Sequence, residues 1–150
     1  MYNSGARLAA AVSEAGGLGL IGAGSMRPEL LRDQIRKARL LTDKPFGVNL
    51  PLLYSQARES MMVALEEGLK IFFTSAGSPK RAIGPLKDAG CVVVHVAATA
   101  ALAIKCEDAG CDAVVVEGFE AGGHNGRDEI TTMVLVPECC NAVKIPVLAA

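Results

Sequence analysis

The 150-residue chain predicts an α/β fold built on one parallel sheet of six strands, and three observations predict it. Short apolar runs without polar alternation recur along the chain, as expected of strands covered on both faces. Most of these runs follow an acidic residue and a glycine, the mark of a helix that has just stopped. Strand starts are spaced by roughly 20 to 33 residues with room for a helix in each gap, so the units read as βα repeats joined by right-handed crossovers.

Taken in order, Glu14-Ala15-Gly16 precedes the run Leu18 to Ile21, and Glu66-Glu67-Gly68 precedes Lys70 to Thr74. Asp88-Ala89-Gly90 precedes Cys91 to Val96, and Asp108-Ala109-Gly110 precedes Asp112 to Val116. Each glycine can supply the left-handed residue that ends a helix. Pro45 to Leu50 and Ile145 to Ala149 are entered through proline after a charged helix end and complete the six. Between strands, Leu31, Ile35 and Ala38 fall at i, i+4 and i+7, as do Leu102, Cys106 and Ala109, each set giving one apolar stripe for packing on the sheet. Ser78 followed by Pro79 reads as a helix start. Periodicity alone leaves barrel and open sheet as alternatives.

Composition narrows the function classes. At 51% hydrophobic the chain has enough apolar material for a sizeable core, and without a linker or low-complexity stretch residues 1–150 form one domain. Fifteen basic and sixteen acidic residues are dispersed, so neither a nucleic acid nor an anionic membrane is the expected partner. The five cysteines show no C-x-x-C pair or zinc spacing, no metal is expected, and they read as small buried apolar residues. No secretory signal or membrane-length apolar run is present, which suits the cytoplasm.

The most informative stretch is Glu117-Gly118-Phe119-Glu120-Ala121-Gly122-Gly123-His124-Asn125-Gly126-Arg127, directly after a predicted strand. Parallel α/β proteins place their sites there: paired glycines admit a ligand close to backbone, and a histidine exchanges protons near neutral pH. The competing reading is a polar loop with an incidental histidine. His95 also ends a strand, facing the same rim; a histidine satisfied by backbone hydrogen bonds is its blander reading. Met26, Met61, Met62 and Met133 read as packing residues, as do Cys139 and Cys140 on a predicted helix, while Lys80 and Arg81 at a predicted helix start either meet a cofactor phosphate or, the favoured reading, are simply solvated.

The loop Glu117 to Gly126 resembles the signature of the nitronate monooxygenase and enoyl-acyl-carrier-protein reductase II family. Ala15-Gly16-Gly17-Leu18-Gly19, Asp43 to Asn49, Thr74-Ser75-Ala76-Gly77 and Ile145 to Ala150 resemble further family patterns in the same order. The resemblance covers nearly the whole chain and implies an FMN-binding (β/α)8 barrel. Asn49, Ser75, Glu117, Gly122 and Gly123 match positions that contact the flavin, and His124 matches the histidine that serves the nitronate enzymes as base. Two activities are implied: oxidation of alkyl nitronates, with His124 as base, or NAD(P)H-dependent reduction of an enoyl thioester in fatty-acid synthesis. Glu117 and Thr131-Thr132-Met133 look more like the reductase branch. The partner implied is a small-molecule substrate, and a homodimer is an allowed assembly.

A complete eight-unit barrel takes about 250 residues. Against the family, Met1 falls on the methionine that closes the first strand, and Ala149-Ala150 stands where the family continues toward its eighth strand. The expectation is therefore an incomplete barrel, family strands two to seven, without the loops that grip the flavin phosphate. Two unpaired edges and an open apolar face would follow. A non-catalytic fragment of such an enzyme, and a flavodoxin-like open sheet, are the competing expectations.

Overall fold

A computed structural model describes residues 4–150, with every side chain among them except that of Arg81. Met1, aligned above with the end of a first strand, and the Arg81 side chain lie outside the described residues. In chain order the elements are α1 (Ala6–Glu14), β1 (Gly19–Gly22), α2 (Pro28–Leu41), β2 (Phe46–Pro51), α3 (Ala57–Glu66) and β3 (Ile71–Ser75). They continue as α4 (Lys80–Asp88), β4 (Val92–Ala97), α5 (Ala100–Asp108), β5 (Ala113–Val116), α6 (Thr132–Ala142) and β6 (Val147–Ala149).

Every strand pair is parallel and the spatial order is β1-β2-β3-β4-β5-β6, the same as the chain order. A doubly wound sheet reverses direction at a switch point, so this order excludes the flavodoxin-like alternative. Winding that never reverses is that of a (β/α)8 barrel, of which six units are present. The glycines that close α1, α3, α4 and α5, namely Gly16, Gly68, Gly90 and Gly110, all have positive φ, between 68° and 90°. Each turns the chain out of its helix and toward the next strand. Strands begin one or two residues later than the apolar runs suggested, because the residue after the turn is still leaving it.

Register assigns side chains to faces. Ile21, Val48, Phe72, Val93 and Val114 share one face, are fully buried, and meet the helices. The main core lies there: Leu31, Ile35 and Ala38 of α2 are fully buried, as their spacing predicted. Gly19 opens this layer for α1, since a Cβ on it would sit 1.8 Å from the Ala9 carbonyl oxygen. Arg32 and Arg36 bind the Glu67 carboxylate at 2.8 Å each, tying α2 to the end of α3.

The opposite face carries Leu20, Ile71, Val92, Val115 and Leu148, which point to the barrel interior. Val92 is 47% exposed and Leu148 40%, so this apolar face is open, as expected for part of a barrel. At the sheet's ends, β1 and β6 each pair with one strand among the described residues, and the Ser4 carbonyl accepts from Gly22 N–H at the β1 edge.

Several packing expectations are corrected. Met26 and Met61 are buried, whereas Met62 and Met133 are exposed. Four cysteines are buried, but Cys140 is not. On α5 Cys106 is buried and Ala109 packs against the core as predicted, but Leu102 is exposed and Ala103 takes its place in the inward stripe. The start of α4 is at Lys80 with Pro79 before it, one residue beyond the Ser78-Pro79 reading. No helix among the described residues is long and apolar enough to cross a membrane.

Candidate active site

A cleft of about 700 Å³ opens over the carboxyl ends of β2 to β5. Strand parity carries the polar residues into it. Asn49, Ser75 and Glu117 all belong to the interior-facing series, one at the end of each of β2, β3 and β5. Ser75 Oγ lies 3.4 Å from Asn49 Oδ1 across the β2–β3 pair. Burial at the cleft pushes the Glu117 carboxyl pKa up, because a charged carboxylate is poorly solvated there.

The chain after β3 is bent sharply. Ala76 has φ of 50°, a left-handed conformation that a residue with a Cβ adopts at a cost of order 1 kcal/mol, and Gly77 follows at φ 153°. This turn brings the start of α4, with Lys80, over the cleft. His95, at the end of β4, is on the helix-covered side. Its Nδ1 lies 2.7 Å from Thr74 Oγ1, the Gly77 backbone provides a second partner, and burial drives its pKa down to about 4. His95 is thus hydrogen-bonded within the protein, with Thr74 as an unanticipated side-chain partner, and it also lines the cleft at the rim.

The loop from Glu117 to Thr131 roofs the cleft and is held by its own side chains. Both carboxylate oxygens of Glu120 accept from Thr132 N–H at 3.0 Å, so the acid serves the exposed amino end of α6 from twelve residues away. Asn125 Nδ2 donates to the carbonyls of Phe119 and Ala121 at 2.7 and 2.8 Å, closing the loop on itself. Gly118 leaves no space for a Cβ, which would stand 2.2 Å from Thr132 Oγ1. This bracing presents Gly122 and His124 to the cleft, with His124 exposed.

Of the six residues singled out in the sequence, five line this one cleft: Asn49, Ser75, Glu117, Gly122 and His124. Gly123 stands beside it with φ of 100°, shaping the loop without lining the cleft. Sequence reading missed the contributions of Tyr54, Lys105 and Arg127, which also line it. Only Arg127 had a signal, its place at the end of the glycine-rich stretch. A Cβ built on Gly122 meets nothing within 4 Å, so the backbone there is open to a flat ligand. Asn49 and Ser75 offer hydrogen bonds to the polar edge of such a ring, and Val96 offers an apolar wall. These groups fit an isoalloxazine.

Singly wound βα units with polar residues gathered above the strand ends define the class, a (β/α)8 barrel of which six units are described, with its candidate site at the carboxyl ends of the strands. The nitronate monooxygenase family profile matches residues 2–150, and the chain belongs to that family of flavin-dependent oxidoreductases. It is similar to FabK of Thermotoga maritima, an enoyl-acyl-carrier-protein reductase II, with 48% identity and a TM-score of 0.93 over 98% of this chain and 47% of that one. A nitroalkane oxidase of Streptomyces ansochromogenes superposes with a TM-score of 0.86 at 31% identity, over 96% of this chain and 54% of that one. Both are TIM barrels. A Rhodococcus jostii (strain RHA1) enzyme, (3aS,4S,5R,7aS)-5-hydroxy-7a-methyl-1-oxo-octahydro-1H-indene-4-carboxyl-CoA dehydrogenase, is 38% identical over 98% of this chain and 41% of its own length. The chain spans about half the length of these relatives.

Proposed function

We propose that the chain carries the flavin-facing and proton-transferring part of an FMN-dependent oxidoreductase that reduces enoyl thioesters with NAD(P)H. The observation that carries this reading is the 48% identity to the reductase FabK over 98% of this chain, against 31% to the nitroalkane oxidase over 96% of it. The carboxyl-CoA dehydrogenase among the relatives also takes a thioester, which supports the same substrate class.

In this reading Asn49 and Ser75 hold the ring's polar edge, and the glycine backbone at 122–123 lets it approach. Bound there, FMN supplies two-electron redox capacity that no side chain provides. His124 donates or accepts the substrate proton, a task that imidazole performs near neutral pH. Glu117, whose carboxyl pKa is raised by burial, lines the cleft at the carboxyl end of β5 beside these groups. The second reading, oxidation of alkyl nitronates with His124 as base, is supported by the family and by the nitroalkane oxidase relative.

The test is an absorbance spectrum after incubation with FMN and desalting, followed by two assays. Retained flavin with NADPH oxidation on crotonyl thioester supports the first reading, and oxygen consumption on a nitronate without it supports the second. Loss of all flavin on desalting overturns both for this chain and leaves the non-catalytic fragment.

A further inference from the structure

The four helices that stop on a left-handed glycine, α1, α3, α4 and α5, close in the same way. The amide after the glycine donates to the carbonyl five residues back, at 3.0 or 3.1 Å, and so brings the two positions together where their side chains can pack. The pairs are Val12 with Gly17, Ala64 with Leu69, Leu86 with Cys91, and Cys106 with Cys111. The first three hold at most one sulfur, so apolar packing is all that such a closure requires. Of the four, α5 alone carries a thiol at both positions.

In that pair the Cys106 thiol donates a hydrogen bond to the Cys111 sulfur. Accepting it pulls the Cys111 pKa down, against burial, with Asp112 opposing and Lys87 assisting. Donating it, together with burial, pushes the Cys106 pKa up. One sulfur is therefore poised as the nucleophilic thiolate and its neighbour as the thiol that follows. Cys91, by contrast, faces carbonyls, Leu69 O at 3.8 Å and Ala89 O at 4.0 Å, and burial raises its pKa. Both members of the pair are almost wholly buried, but Cys106 forms part of the cleft wall, which gives a water-sized oxidant a route to them.

We propose that Cys106 and Cys111 are an oxidative modification site, a thiol pair that hydrogen peroxide converts to a reversible disulfide at the junction of α5 and β5. The Cys111 thiolate attacks one peroxide oxygen, the O–O bond breaks, hydroxide leaves, and a sulfenic acid remains on Cys111. The Cys106 sulfur then attacks the Cys111 sulfur, an S–S bond forms, and the hydroxyl departs as water with the Cys106 proton. Two thiols lose two electrons and two protons in all, and one peroxide becomes two waters. The bond joins the last turn of α5 to the residue pair before β5, the strand that carries Glu117 at its other end. No flavin takes part, so the pair stands or falls apart from the oxidoreductase reading.

Mapping of free thiols on the reduced, unaltered protein tests the proposal. After exposure to hydrogen peroxide and blocking with N-ethylmaleimide in denaturant, Cys106 and Cys111 are expected to escape alkylation together and to regain it after dithiothreitol. Their loss is expected to run at least ~10-fold faster than that of the buried Cys91. Trypsin leaves both on one peptide, bounded by Lys105 and Arg127, so cleavage at Glu107 reveals the bridge as two pieces that stay joined until reduced. In Cys106→Ala the reaction should stop at the sulfenic acid, giving a dimedone adduct on Cys111, whereas Cys111→Ala should give none on Cys106. The reverse pattern of adducts would overturn the order of attack. A bridge between other cysteines, or consumption of Cys106 and Cys111 no faster than Cys91, overturns the proposal on the unaltered protein alone.

Discussion

His95 Nδ1 lies 2.7 Å from Thr74 Oγ1, directly across the β3–β4 pair, so an ionisable group is held almost wholly buried where the helix layer borders the cleft. Burial holds its pKa at about 4, well below the ordinary imidazole value of 6.5. Between those values the unfolded chain binds the extra proton, so stability falls as pH drops from 6.5 toward 4 and is fully present above 6.5. The expected contribution is up to about 3 kcal/mol. Urea midpoints measured across this range for His95→Asn should show a shallower acid loss than the unaltered protein, and parallel curves would refute the assignment.

Leu31 is fully buried between α2 and the sheet, and Leu40 on the same helix is 86% exposed. Leu31→Ala is expected to cost about 2 to 5 kcal/mol, and Leu40→Ala less than about 0.5 kcal/mol. Chemical denaturation with unchanged slope distinguishes the two, and equal losses would contradict the described face of α2.

Gly19 and Gly84 make a matched pair. A Cβ at Gly19 would collide with the Ala9 backbone, so Gly19→Ala must displace α1 and is expected to lower stability by about 3 kcal/mol or more. Gly84 lies inside α4 with open space around it but directly before Pro85, whose ring crowds a Cβ on a helical residue preceding it, so the helix gain of Gly84→Ala is offset and the change is expected to stay within about 1 kcal/mol. Thermal melts of both variants give the magnitudes directly.

Glu120 braces the roofing loop against α6, and hydrogen bonds from its own amide first and from Thr132 second lower its carboxyl pKa. Glu120→Ala should free the loop, exposing residues 121–127 to limited proteolysis and reducing turnover in either assay while the rest of the fold melts nearly as before. Turnover and cleavage both unchanged would show that the brace is dispensable.

Much of the fold was legible because its punctuation is chemical. Gly16, Gly68, Gly90 and Gly110 sit where only a residue without a Cβ turns easily, and that constraint is written in the residue type. The grouping of Asn49, Ser75 and Glu117 was reached through family likeness, and strand parity provides its physical reason. What stayed hidden depends on register. Whether His95 faces the interior or the helices turns on a single-residue shift, and no local pattern reveals it. The Glu120–Thr132 brace links segments far apart in sequence, so residue type alone could not announce it. On α5 the i, i+4, i+7 reading placed Cys106 and Ala109 inward as observed, and only its first member was misplaced, because Ala103 at i+3 spacing from Cys106 fills the core in place of Leu102.

The identity of spatial and chain order has a consequence for how the molecule assembles. Each strand docks against the one made just before it, so the sheet grows by addition at one edge and no strand waits for a distant partner. Long-range loop closure, the slow step in many sheet proteins, is confined to spans of one helix and its turns. Nascent chain leaving a ribosome can therefore lay down this sheet progressively, with the loop that presents His124 ordered only once α6 has formed to anchor Glu120.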